Sequence, residues 1–297
     1  MSSAFGQYLK LSIFGQSHGE ALGVTLDGFP AGMTIDMEQL LAEMARRAPG
    51  QSLMTTARKE PDAPEFLSGV LNGRTTGQPI CAIIRNTNQR SKDYGDGVDL
   101  VRPGHADYTG HVRYFGFEDW RGGGSFSGRL TAGIVLAGAL CSQYLVHRGV
   151  KIACHIQQLG DVRDASFLAA DAAADYAYLK GMHLPVLTAG LNQQMEEAVL
   201  AARDKQDSVG GVLECMVTGL PAGLGAPFFD SVESVLSHLL FAIPAVKGVE
   251  FGEGFGFASM RGSQANDPFR MENGEVTTES NHSGGILSLI HISEPTR

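Results

Sequence analysis

The chain has little positive charge, one tryptophan and few cysteines, and each shortage argues against a class of function. Lys and Arg total 23 against 32 Asp and Glu, giving a formal net charge of −9 over 297 residues. A nucleic-acid binder needs a basic surplus on one face, so none is expected, and any anionic ligand must be held by a local cationic pocket. The four cysteines (Cys81, Cys141, Cys154 and Cys215) include no CxxC pair and no histidine at ligand spacing. They read as buried thiols of a cytoplasmic protein, and no metal site is expected.

Long apolar runs are also missing. The longest uncharged stretch, Leu130–Val146, is shorter than the about 20 residues that cross a bilayer, and it contains Thr131, Ser142 and Gln143. It reads as a core helix, so no membrane contact is expected. The opening MSSAFGQYLKLS lacks the basic-then-apolar layout of a signal peptide, in keeping with a cytoplasmic location.

What remains is a globular composition, 43% hydrophobic, with 38 glycines and enough length for a large core. Short runs rich in Ile, Val and Phe, bounded by Gly, Asn or Pro, predict strands at Leu9–Phe14, Gly23–Gly28, Glu65–Val70, Ile80–Arg85, Val150–Ile156, Gly211–Val217 and Val246–Phe251. Asp36 with Gln39, and Asp230 with Glu233, resemble capping boxes ahead of helically spaced apolar residues. Further helices are predicted over Arg129–Arg148, stopped by Gly149, and over Leu191–Arg203. The segment Gly28–Leu41 is echoed by Gly219–Leu236: in both, a strand enters G-x-P-A-G, then a capping Asp, then a helix. The echo reads either as two related halves or as one common turn used twice.

Four stretches could carry chemistry. In FGQSHGEALG, His18 follows a strand between glycines, where it could be catalytic or a structural loop histidine. In ARRAPGQSLMTTARKE, Arg46, Arg47, Arg58 and Lys59 flank a Pro-Gly turn. Guanidinium forks suit carboxylates and phosphates, although the helix dipole also accounts for Arg46 and Arg47. In VRPGHADYT, a turn presents His105 with Arg102 before it and Asp107 after it; RGGGSFSGR then brings three glycines, Ser125, Ser127 and Arg129 ahead of the long helix. Bare backbone N–H groups, a helix N-terminus and hydroxyls together suit a bound phosphate, the alternative being a solvated loop. The late stretch Ile243–Phe269, with NHSGG at Asn281–Gly285, suggests backbone-lined walls or plain turns. No GxxxxGK[ST] lysine supports a nucleotide hydrolase, so a small-molecule kinase has only superficial support in GLPAGLG and GGGSFSG.

Across these blocks the chain resembles the chorismate synthase family. The matching residues are FGQSHG, RRAPG, TTARKEPD, GRTTGQPI, NTNQRSKDY, RPGHADYT, RGGGSFSGRLTA, GLPAGLG, AVKGVEFGEGF and SNHSGGI. The resemblance implies an α/β (α+β) fold of β-α-β sandwich type, a single domain of two pseudo-related halves, and a homotetramer. It implies a lyase that eliminates phosphate from 5-enolpyruvylshikimate 3-phosphate to give chorismate. That reaction uses reduced FMN, with NADPH (or NADP chemistry generally) as an external source of reducing equivalents. By the same resemblance His18 and His105 are catalytic. Arg47, Arg58, Arg102, Ser127 and Arg129 meet the substrate, and Arg47, Ser125, Phe126, Ser127 and Ala245 meet the flavin.

After NHSGGIL the family pattern stops. Residues 1–287 are therefore expected to be an incomplete chorismate synthase domain. Ser288–Arg297, in the ending LSLIHISEPTR, is expected to be a non-native tail. A shortened chain of this kind raises a second reading, a flavin- or phospho-ligand-binding fragment without turnover.

Overall fold

In the computed structural model, residues 3–50, 54, 60–87, 101–169, 174–292 and 296 are described. The chain divides into two compact units, Met1–Tyr144 and Leu145–Arg297. Each combines antiparallel sheet with helices, the expected α+β mixture.

The first unit contains β1 (Ala4–Phe5), β2 (Lys10–Gly15), β3 (Ala21–Asp27), α1 (Met37–Arg47), β4 (Pro64–Ser68), β5 (Val70–Leu71), β6 (Arg74–Thr75), β7 (Ile80–Arg85), α2 (Asp107–Tyr114) and α3 (Thr131–His147). Five strands form one antiparallel sheet in the order β1-β2-β3-β7-β4. Side chains alternate across a strand, so Leu22, Val24 and Leu26 of β3 share a face with Ile80, Ala82 and Ile84 of β7, and all six are buried. Leu40 and Met44 of α1 and Leu136 and Leu140 of α3 close over that face. Each such side chain contributes about 2 kcal/mol on removal from water, which is why α3, apolar enough by composition to span a bilayer, lies against this sheet. Gln143 is accommodated in the core by two bonds to Asp36: its Oε1 accepts from the backbone N–H at 2.9 Å and its Nε2 donates to the carbonyl at 2.8 Å. The Asp36 carboxylate caps α1 by accepting from Gln39 N–H, as predicted.

The second unit contains β8 (Lys151–Leu159), β9 (Val162–Arg163), α4 (Leu191–Asp204), β10 (Gly211–Thr218), α5 (Val232–Leu240), α6 (Gly262–Ala265), β11 (Phe269–Glu272), β12 (Glu275–Thr278), β13 (Ile286–Leu287) and β14 (Ile290–His291). Strands β10-β8-β9 form a sheet, and β11-β12 and β13-β14 are separate hairpins. Met195 of α4 packs on Ile156 and Val186 in one cluster, while Phe167, Leu179 and Met216 form another. Of the expected tail, His291 N–H donates to Leu224 O at 2.8 Å, Thr296 bridges to Val217, and both His291 and Thr296 are buried.

Six of the seven predicted strands are present within a few residues of their expected bounds. Val246–Phe251 is not a strand: Gly248 interrupts it, and no described neighbour pairs with it, so its backbone has no ladder to join. The α5 cap also differs. Ser231, not Asp230, accepts from Ser234 N–H. The G-x-P-A-G echo has a structural counterpart, one copy in each unit between a strand and a helix. Gly28 and Gly32 have φ of 87° and 83°, and Gly219 and Gly223 have 78° and 93°. Only glycine takes such left-handed values without steric cost.

Candidate active site

The first unit brings the two histidines singled out in the sequence to the same loop. RGGGSF folds as a tight 3-10 turn interrupted by Gly122, Gly123 and Gly124, whose φ values are 60°, 86° and 54°. A Cβ on Gly122 would lie 2.0 Å from His18 Cε1, and one on Gly123 would lie 2.8 Å from His105 Nε2. His18 and His105 therefore rest on consecutive glycines, and any side chain there would displace a ring. The first strand-end loop is laced to this turn: Ser17 N–H donates to Gly124 O at 3.3 Å, and the Ser17 hydroxyl lies 3.1 Å from both Gly122 O and His18 Nδ1.

His18 is buried. If the Ser17 hydroxyl donates to the Gly122 carbonyl, it accepts from His18 Nδ1–H, and the proton that an imidazolium can give away sits on Nε2. Asp119 precedes the same turn. Bidentate hydrogen bonds from Arg121 hold its carboxyl below the usual carboxylate range, and the charge of His18 contributes in the same direction.

His105 is fixed from the other side. Its Nδ1 lies 2.6 Å from Asp107 Oδ1, a geometry in which the carboxylate accepts Nδ1–H and Nε2 is left over Gly123. Asp107 also accepts from Arg102 Nη2 at 2.7 Å and Nε at 2.9 Å. Those bonds hold its carboxyl far below the ordinary range and keep it ionised to orient the imidazole. The stretch read as a loop begins α2 at Asp107. Thr109 and Gly110 are poor helix formers, which hid this helix from the sequence.

The arginines are less bare than the sequence suggests. Arg129 precedes α3 in its own short turn, Gly128–Leu130, where the Ser127 hydroxyl accepts from Arg129 N–H at 3.3 Å. Its buried guanidinium donates from Nη1 to Asp62 and from Nε to Asn86 Oδ1 at 3.1 Å, and Glu60 Oε2 lies 3.0 Å from Nε as an ion pair. Arg47 leaves the end of α1 to donate to the other Asp62 oxygen at 2.8 Å and to Gly128 O at 3.1 Å. Two cations thus face two carboxylates, a neutral cluster. Among the described residues Arg129 Nη2 is buried without a hydrogen-bond acceptor. Asn86 extends the cluster to the His18 loop by donating to Gln16 O at 2.9 Å and Gly19 O at 2.8 Å.

Sequence reasoning passed over Asp62, Glu60, Asn86, Ser17 and Asp119. The signal available for the first two was an acidic pair directly after a basic cluster, in KEPD. Of the flavin residues, Ser125 is exposed, and Phe126 packs its ring 6.0 Å from Tyr114 and against Gly110. Ala245 belongs to the second unit, exposed, with φ of 70°. Arg58 lies outside the described residues. No group of three or more potential metal ligands occurs among the described residues. The cysteines differ from expectation: none is fully buried, and Cys215 is exposed, because β10 leaves that face uncovered.

Comparison with known proteins gives the family. The family profile described as Chorismate synthase matches residues 9–296. A chorismate synthase of Dehalococcoides mccartyi is 42% identical over 99% of this chain and 80% of its own length. One from Thermococcus kodakarensis is 43% identical over 98% and 79%, and one from Chloroflexus aggregans is 45% identical over 98% and 78%. A solved structure titled "Crystal Structure of Chorismate Synthase" superposes with a TM-score of 0.80 at 28% identity, covering 97% of this chain and 83% of that one. These relationships lead to one conclusion: the chain belongs to the chorismate synthase family, whose members are carbon–oxygen lyases.

Proposed function

We propose that this site eliminates phosphate from 5-enolpyruvylshikimate 3-phosphate to give chorismate, with reduced FMN bound beside the substrate. The observation that carries the reading is the convergence of His18 and His105 on Gly122 and Gly123. The site fits such ligands: the glycine turn brings both imidazoles to one place, and Arg129 Nη2 offers a buried donor with no described acceptor. When bound, reduced flavin supplies electron density to the allylic system as the carbon–oxygen bond breaks.

The protein residues have separable tasks. His18, protonated at Nε2, donates to the departing phosphate, whose accumulating charge otherwise resists cleavage. His105, held by Asp107, keeps one nitrogen over the cradle and sets the local charge beside the flavin. Arg47 and Arg129, fixed by Asp62, present guanidinium edges in one orientation, so little ordering is needed when the anion arrives. Arg102, Ser125, Phe126 and Ser127 complete the proposed contacts to substrate and flavin within the first unit. An NADPH-dependent reductant outside this chain keeps the flavin reduced, and the working assembly is a homotetramer in the cytoplasm.

The test is anaerobic: purified protein, photoreduced FMN and substrate, with chorismate absorbance and phosphate release followed together. Equal appearance of both products, lowered at least about 100-fold by His18→Ala, is expected. Phosphate released without chorismate, or turnover indifferent to His18, would overturn the assignment.

A further inference from the structure

We propose that Cys154 and Cys215 form a dithiol modification site, which small disulfides convert to a cross-strand disulfide joining β8 to β10. The two residues are direct partners in the antiparallel register, and their sulfurs stand 2.9 Å apart, Cys215 Sγ–H donating to Cys154 Sγ. Opposed residues in antiparallel strands have Cα atoms about 4.5–5.5 Å apart, and a disulfide spans about 4.4–6.8 Å. The bond therefore closes by side-chain rotation alone. Cys215 is exposed and Cys154 half-buried, so a small reagent has access from solvent, past the exposed Ile152 and Leu213.

The hydrogen bond assigns an order to the exchange. Cys215 keeps its proton: the hydrogen bond to Cys154 pushes its thiol up. Cys154, the acceptor of that bond, is the attacking sulfur. Cys154 Sγ attacks one sulfur of a low-molecular-weight disulfide RSSR, forms a mixed disulfide and expels RS⁻. Cys215 then gives its proton to water, and its sulfur attacks Cys154 Sγ, closing the bond and expelling the second RS⁻. Two protein thiols are oxidised and one RSSR is reduced to two RSH. On the opposite face the adjacent residues are already joined, His155 Nε2 lying 2.9 Å from Glu214 Oε2. The crosslink therefore fastens strand positions that stay paired in the folded protein. Cys141 offers no such route, since burial pushes its thiol up and it sits within α3.

The test uses the whole folded protein without flavin, so its outcome does not depend on the proposed lyase activity. Incubation with oxidised glutathione, acid quenching, blocking of remaining thiols and proteolysis should yield a linked Cys154–Cys215 peptide pair before any adduct on Cys81 or Cys141, and dithiothreitol should reverse it. Cys215→Ser should instead accumulate glutathione on Cys154. Persistent mixed disulfides on the wild-type pair without closure, or earlier modification of Cys81 or Cys141, would overturn the proposal. Phenylarsine oxide, which bridges paired thiols, supplies a second readout on wild-type protein alone: protection of both cysteines supports the pair, and protection of neither opposes it.

Discussion

Asp62 and Arg129 form a direct ion pair inside the first unit although 67 residues separate them, the carboxylate having no exposed surface and the guanidinium almost none. The same carboxylate receives Arg47 through its other oxygen. Asp62→Asn keeps the shape but removes the carboxylate that both guanidiniums share, leaving Arg129 with Glu60 among the described residues. Breaking a buried pair of this kind costs about 3–5 kcal/mol. The expected result is a clear fall in thermal midpoint, with KM for the phosphorylated substrate raised more than kcat is lowered. An unchanged midpoint would show that the cluster relaxes without loss.

Gly122→Ala and Gly123→Ala test the cradle. Each places a methyl group in a left-handed conformation and against an imidazole, at 2.0 Å from His18 and 2.8 Å from His105. Strain of about 1–2 kcal/mol from the backbone alone leaves the fold intact, so far-UV circular dichroism should match wild type while turnover falls steeply. Gly138→Ala, with open space on the exposed side of α3, is the control. It should stabilise the protein by about 0.5–1 kcal/mol, the ordinary helix gain.

Asp107 carries a pH signature. Hydrogen bonds from Arg102, outweighing burial, depress its carboxyl in the folded protein. A depressed carboxyl contributes stability that is present above its unfolded value, about 3.9, and is lost as pH falls below it. Asp107→Asn should therefore be less stable than wild type near neutrality, with the difference shrinking as pH drops below about 4. Thermal melts across that range decide the point, and a difference that grows on acidification contradicts it.

His155 is completely buried between two carboxylates in the second unit, Nδ1 lying 3.2 Å from Asp164 and Nε2 2.9 Å from Glu214. Burial would raise Glu214, but bonds from His155, Ser166 and the Phe167 N–H prevail and lower it. His155→Phe removes one partner from each carboxylate, both of which keep other donors, and should destabilise by about 1–3 kcal/mol, read as a shift in denaturant midpoint at unchanged slope. His155→Gln, which still donates one hydrogen bond, should recover part of the loss.

The sequence by itself determined the longer strands of both main sheets, the capped helix after Asp36 and the core helix stopped by Gly149. Those features are local: alternation, capping and φ preference act over a few residues, so a short window contains their cause. Only the tertiary structure decided that His18 and His105 share one turn, that Asp62 neutralises Arg47 and Arg129 together, and that Cys154 meets Cys215. Each of these depends on strand register or chain reversal across tens of residues, and spacing along the chain carries no record of it. The arginines show the difference most plainly. Their number and place were legible, but their net charge in the site was set by carboxylates that folding brings to them.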